Sequence, residues 1–476
     1  MDLRNFQRQT SRRQVLRSLS AGFGYLAFAG LSNLGQASAL PRRDQAGNPL
    51  APRDPHFPAR AKHVIFLSMT GAPSHVDTFD YKPALKKDAG KSGRYGGGTL
   101  MGSPFKFSQH GDSGLWISEL FPQLAGQADK LCLLRGMHSD SPNHPTAQTL
   151  QHTGNFQFVR PSIGAWTLYG LGTDNSSLPG FIALNPAAGA NQHFGSAFLP
   201  AQYQGTRVTT RGGGNNRPPA MRRGAAPTGN ALPDIGNPRL SGEQQRAQLD
   251  LIQQLNQRHK MQHPNEAGID GAIESLELAF RMQDSMPELM DISEESQETL
   301  DLYGATSGPT AEFGKQCLMA RKFVEAGVRF VQVSHGGWDH HTNLQSQLQT
   351  RCEQIDKPIA ALLSDLERRG LLAETLVVWG GEFGRTPNSR NGSGRDHNNR
   401  GYTTWMAGGG VKGGFSYGAT DEYGYQAVDQ KMHTHDWHAT ILHLLGLDHT
   451  KLTYRYAGRD FRLTDVAGEV ATEIVS

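Results

Sequence analysis

Cysteine is scarce in this chain. The three present, Cys132, Cys317 and Cys352, lie far apart with no C-x-x-C pair, which argues against a thiolate zinc site or a disulfide framework and leaves stability to a core. Long apolar runs are missing too: Gly22, Gly24, Gly30, Ser32, Asn33 and Gln36 interrupt the uncharged stretch 18–39, so it falls short of the ~18 apolar residues expected of a membrane helix. An excess of one charge is also lacking. The formal net charge is +3, but residues 1–39 hold five Arg and one Asp, so the remainder is near −1. That balance calls for neither nucleic acid nor an anionic membrane as partner.

What the N-terminus does have is a targeting pattern. Ser11-Arg12-Arg13-Gln14-Val15-Leu16-Arg17 precedes the uncharged run, and Ala37-Ser38-Ala39 offers a small-x-small cleavage site. The segment resembles a twin-arginine export signal, so residues 1–39 are expected to be removed and the product to be periplasmic or extracellular. Twin-arginine cargo generally folds before crossing, which favours a metal or cofactor protein. Residues 40–62, rich in Pro and Arg without apolar period, read as a linker.

The fold is expected from His63 to the C-terminus as one α/β domain. His63-Val64-Ile65-Phe66-Leu67-Ser68-Met69 is a continuous apolar run opening into Thr70-Gly71-Ala72-Pro73, the pattern of a strand buried on both faces. Similar runs recur at 328–333 and 375–379, preceded by helix-period segments at 311–326 and 344–369. Alternating strand and helix predicts a mostly parallel sheet with helices on both faces. Residues 202–241, dense in Gly, Pro and Arg, predict a mobile insertion, and the polar helices of 242–302 a lid or helical excursion.

In such sheets ligands bind beyond the carboxyl ends of the strands, and each proposed strand ends in metal-ligand residue types. After the first come His75, Asp77 and Asp80; after the second, His335, Asp339, His340 and His341; after the third, Glu382 and Arg385; a further loop carries Arg395-Asp396-His397. Imidazole with carboxylate suits zinc, manganese or iron. The candidate ligands are His75, Asp77, His335, Asp339, His340, Glu382, Asp396 and His397, holding one or two divalent ions, with zinc or manganese favoured. Residues 135–146 pass from a strand end into a helix closing at Thr153-Gly154. Its N-terminus offers free N–H groups to an anion, and its hydroxyls and imidazoles are candidate nucleophiles or acids. His144, Thr146 and Arg385 are the candidate catalytic residues, Arg385 as a planar clamp on ester oxygens. The segment 432–447 reads as an amphipathic core helix with a Gly stop.

Several of these stretches carry a resemblance. Met69-Thr70-Gly71-Ala72-Pro73-Ser74-His75-Val76-Asp77-Thr78-Phe79-Asp80, Gly381-Glu382-Phe383-Gly384-Arg385-Thr386-Pro387, Gly394-Arg395-Asp396-His397 and Ala407-Gly408-Gly409-Gly410-Val411-Lys412-Gly413-Gly414 resemble domain of unknown function 1501, a family abundant in planctomycetes. It is placed with alkaline phosphatases and sulfatases, and Asp436 to Gly446 is similar to a stretch near the C-terminus of sulfatases. The resemblance implies an alkaline-phosphatase-like fold and hydrolysis of sulfate or phosphate esters, including those of sulfated polysaccharide. A non-catalytic member binding a metal, a glycan or a partner protein is the alternative.

The chain departs from the sulfatase pattern. Paired Asp at the end of the first strand is replaced by Met69-Thr70, which leaves His75 and Asp77 to stand in. Where sulfatases have Asp-His-Gly this chain has Glu382-Phe383-Gly384, so His397 would supply the missing imidazole. His144 occupies the formylglycine position without the accompanying Pro and Arg, so formylglycine chemistry is not implied.

Overall fold

The computed structural model describes residues 50–93, 97–187, 189–210, 240–262 and 267–476. The expected signal segment, residues 40–49 of the expected linker, and residues 211–239 of the expected insertion lie outside the described residues.

The fold is α/β, built on a nine-stranded mixed sheet. Its strands are β1 His63–Thr70, β2 Leu131–His138, β3 Phe181–Leu184, β4 Thr206–Val208, β5 Phe330–Gly336, β6 Thr375–Gly380, β7 Tyr402–Ala407, β8 Phe415–Tyr417 and β9 Met432–His433. The order is β8-β2-β7-β6-β1-β5-β3-β4, with β9 also on β2. β1 lies in the middle, parallel to β5 with Val64 opposite Phe330 and parallel to β6 with Ile65 opposite Val377. Only β7 runs against its neighbours β6 and β2. All the other strands therefore end at one edge, and the antiparallel β7 starts there. The loops carrying the clustered histidines and carboxylates are brought to a common rim.

Packing explains why β1 is apolar throughout. Phe66 meets His152 and Trp437, with ring centroids 5.4 and 5.5 Å apart. Ile65 and Leu67, which alternate to the opposite face, are fully buried as well, so both faces of the strand are covered. The longer helices are α1 His144–Thr153, α2 Ile163–Leu171, α3 Gly242–Gln262, α4 Ala267–Met290, α5 Ala311–Glu325, α6 Leu344–Arg368 and α7 Thr434–Leu444. α1 is capped at both ends: the Asn143 side chain accepts from Thr146 N, and Gly154 takes the left-handed conformation at φ 68°. On α6, Ile355, Ile359, Leu362, Leu363 and Leu366 are all fully buried, the stripe its periodicity implies.

α3 and α4 pair through Arg246, bonded to Glu277 at 2.9 and 3.0 Å. Met286, fully buried, joins α4 to the main core. Residues 50–62, read as linker, run along the body: Arg53 N donates to Leu171 O at 2.8 Å and Ala61 N to Leu444 O at 2.9 Å, and Leu50 and Ala61 are buried. Among the described residues no helix is long and apolar enough to cross a membrane.

A candidate metal centre at the strand ends

The rim is assembled around one glycine. Gly71, following β1, has φ 109°, and a Cβ there would lie 2.8 Å from Trp338 N and 2.9 Å from Asp339 N. Only glycine lets the loop after β5 come this close. The Gly71 N–H donates to both Glu382 carboxylate oxygens, at 3.0 and 3.3 Å. Arg385, fully buried, then ties three loops together: it donates to the Gly71, Ala72, Trp338 and Arg395 carbonyls and to Asp339 Oδ1 at 2.7 Å. We expect Gly71→Ala to cost about 1–3 kcal/mol in denaturant unfolding and to displace Asp339, since backbone cannot yield as a flexible side chain could.

On this frame three residues converge. Ligand atoms of His144, Asp339 and His397 lie within 4.8 Å of one another. His144 Nε2 is 3.2 Å and His397 Nε2 3.1 Å from Asp339 Oδ1. His341 adjoins them, its Nε2 3.0 Å from the same oxygen and 2.9 Å from His397 Nε2. The far side of each ring is occupied: His144 Nδ1 lies 2.6 Å from Glu382 Oε1, His397 Nδ1 2.7 Å from Pro142 O, and His341 Nδ1 3.3 Å from Asp396 Oδ1. An acceptor at Nδ1 fixes the proton there and leaves Nε2 with a lone pair. Three such lone pairs would then face one carboxylate oxygen and, for His341 and His397, each other. That arrangement needs a cation, whether protons or a metal.

Charge around the cluster follows the same geometry. Asp339 is held well below the usual carboxylate range: partial burial opposes this, but the Arg385 guanidinium outweighs it, with His397 and His144 adding to the effect. His144 is shifted up despite burial, because Glu382 and Asp339 flank it. His397 is shifted down by burial, Arg385 and His144. Gln148, one turn along α1 from His144, also donates to Glu382 Oε1, at 2.9 Å, so one face of α1 is devoted to that carboxylate.

The other residues singled out from the sequence are placed differently. Glu382 is one hydrogen bond behind His144, and Asp396 Oδ1 lies 3.3 Å from His341 Nδ1. His75 is buried, its Nε2 2.7 Å from Gly424 O and its Nδ1 accepting from Arg385 N at 3.4 Å. Asp77 forms a fully buried two-point pair with Arg395, at 2.7 and 3.0 Å, so its oxygens are engaged away from the cluster. His335 lies between Gln354 and the Trp338 indole, both at 3.1 Å.

His340 is buried, with burial pushing it down to about 4, and is not one of the converging groups. Its neighbour His341 is. Thr146 donates its hydroxyl to Asn143 Oδ1 at 3.1 Å, an engagement of the capped helix start. Arg385, expected as a clamp on ester oxygens, turns its N–H groups to four carbonyls and Asp339. Which of the two adjacent histidines faces Asp339 depends on how their side chains turn, and residue spacing does not specify that.

Comparison with solved structures finds several likenesses. The lipoteichoic acid synthase LtaP from Listeria monocytogenes is 8% identical, with 88% of this chain and 78% of that chain covered and a TM-score of 0.38. The PsFucS1 sulfatase from Pseudoalteromonas sp. is 14% identical, with 89% and 72% covered and a TM-score of 0.34. An alkaline phosphatase from the Antarctic bacterium TAB5 is 11% identical, with 74% and 92% covered and a TM-score of 0.28. Comparison with curated proteins returned no match. The family described as Protein of unknown function (DUF1501) matches residues 61–475, and the chain belongs to it.

Proposed function

We propose that this chain is an exported metal-dependent hydrolase of sulfate or phosphate esters, with His144, Asp339 and His397 as the metal ligands and His341 at hand as a fourth. One observation carries the reading: the imidazole Nε2 atoms gather on a single oxygen of Asp339 while each Nδ1 is held by an acceptor. This donor set fits a divalent ion, since carboxylate or carbonyl support behind a ligating histidine fixes its tautomer and orientation. A bound ion, zinc or manganese on these ligands, would supply Lewis-acid charge for an ester oxygen and an attacking water.

The chain's own groups would do the rest. Glu382 keeps the His144 proton on Nδ1, and Arg385 fixes Asp339 from behind. The start of α1, expected from the sequence to offer free N–H groups to an anion, is closed instead: Pro145 has no N–H, the Thr146 N–H is taken by Asn143 Oδ1 and the Ala147 N–H by Asn143 O. With the Thr146 hydroxyl engaged by Asn143, water is the nucleophile favoured. The placement of the family with alkaline phosphatases and sulfatases, and the similarity of Asp436 to Gly446 to a sulfatase stretch, point to esters of sulfate or phosphate, with sulfated polysaccharide as one source. Export rests on the N-terminal pattern.

The engaged Thr146 and Arg385 also favour a second reading, a binding protein of the same fold that holds a metal without turnover. Assays on aryl sulfate and aryl phosphate with added zinc or manganese decide between them. We expect turnover that falls at least about a hundredfold in His144→Ala and stays near wild type in Thr146→Ala. Metal-loaded protein inactive on every ester would leave the binding reading.

A further inference from the structure

A separate cavity of about 220 Å³ opens beside the turn His75–Asp77, lined by Val76, Tyr81, Leu85, Phe105 and Phe107 on its apolar side and by Lys82, Lys86 and Lys106 on its charged side. The three lysines are not equivalent. Lys82 is already paired with Asp80 at 3.0 Å and donates to Thr420 O at 3.3 Å. Lys86 and Lys106 are exposed, and among the described residues neither ammonium has an ion-pair partner. Glu119 accepts from Lys106 N at 3.0 Å, but its carboxylate makes no ion pair with the Lys106 ammonium. Two lysines without an ion-pair partner among the described residues therefore line the cavity.

The apolar wall is built, not incidental. Phe105 is buried, and the Tyr81 ring stacks against Phe107 at 5.1 Å and Trp116 at 4.4 Å. A cavity below the roughly 300–1,000 Å³ of drug-sized sites takes one ring-sized group. Aromatic walls with cations at the mouth suit a ring that carries an apolar face and an oxyanion.

We propose that this cavity binds a single saccharide ring bearing sulfate or phosphate, with Lys86 and Lys106 on the oxyanion and Tyr81 and Phe107 along the ring. A nucleic-acid strand is disfavoured because the site is one pocket rather than a track, and because residues 40–476 carry a net charge near −1. The cavity shares a segment with the strand-end loops: Val76 of its wall is followed by Asp77, which pairs with Arg395. The inference does not rest on the metal reading.

Titration calorimetry of the folded protein with glucose 6-sulfate, glucose 6-phosphate and glucose, at moderate and high salt, tests it. Wild type should bind both anionic sugars, more weakly at high salt, and not glucose. Lys86→Glu/Lys106→Glu should weaken binding about tenfold or more, and because the proposed centre would also take such esters, the titrations are run with chelator present, where wild type and Asp339→Ala should bind the sugars alike. Unchanged affinity in the lysine double variant, equal binding of glucose, loss of sugar binding in Asp339→Ala, or tighter binding of a thymidine oligonucleotide would each overturn the assignment.

Discussion

Asp339→Ala should lose tightly held divalent metal, with affinity at least about a hundredfold weaker than wild type, and His397→Ala should behave similarly. Losing a second-shell partner alone typically costs ten- to a hundredfold, and Asp339 is the oxygen on which the imidazoles gather. His110→Ala and His449→Ala serve as controls. Their rings meet Ser108 and Thr464, at 2.8 and 2.9 Å, outside the cluster, so their metal content should match wild type. Equal loss in all four variants would indicate general unfolding.

Asp77→Ala should destabilise the fold by about 3–5 kcal/mol, because it leaves the Arg395 guanidinium buried without its counter-charge. Arg395 would retain only the Thr386 and Pro387 carbonyls, at 3.2 and 3.1 Å. Burial alone would raise the Asp77 pKa, but Arg395, with Ser74 and Ser103 adding hydrogen bonds, holds it below the ordinary carboxylate value. A depressed folded-state pKa means that the Asp77 contribution is fully present above the unfolded value, ~3.9, and is lost as pH falls through the folded value. The stability gap between wild type and Asp77→Ala should therefore narrow at acid pH. It should also be the same with chelator present. A gap that disappeared on metal removal would make Asp77 a ligand after all.

The parts of this fold that were legible in the sequence are those whose residues answer to a single demand. β1, β5 and β6 are buried on both faces, so they read as unbroken apolar runs, and α6 shows its core stripe at helical spacing. β7 was not legible: nothing in Tyr402-Thr403-Thr404-Trp405-Met406-Ala407 states that it runs antiparallel between β6 and β2. That reversal is what places the loop of His397 at the same rim as Glu382.

The site divides along the same line. Asp339 and Glu382 could be picked out because each follows a strand end, and strand ends meet; His397 stood out by its company with Arg395 and Asp396 on a further loop. Asp77 could not be separated from them, since a carboxylate at a strand end looks the same whether it faces a cluster or a buried arginine. His144 was marked for acid chemistry or ligation, and only the position of Glu382 behind it gives it the look of a ligand.

The most direct test of the central claim is an anomalous difference map from crystals grown with zinc or manganese, recorded at the metal's absorption edge. The account predicts one strong peak at about 2.0–2.2 Å from His144 Nε2, His397 Nε2 and an Asp339 oxygen, with the His341 ring turned toward it. A peak bound instead by His75, Asp77 or His335, or none at the strand ends in metal-saturated protein, would contradict it.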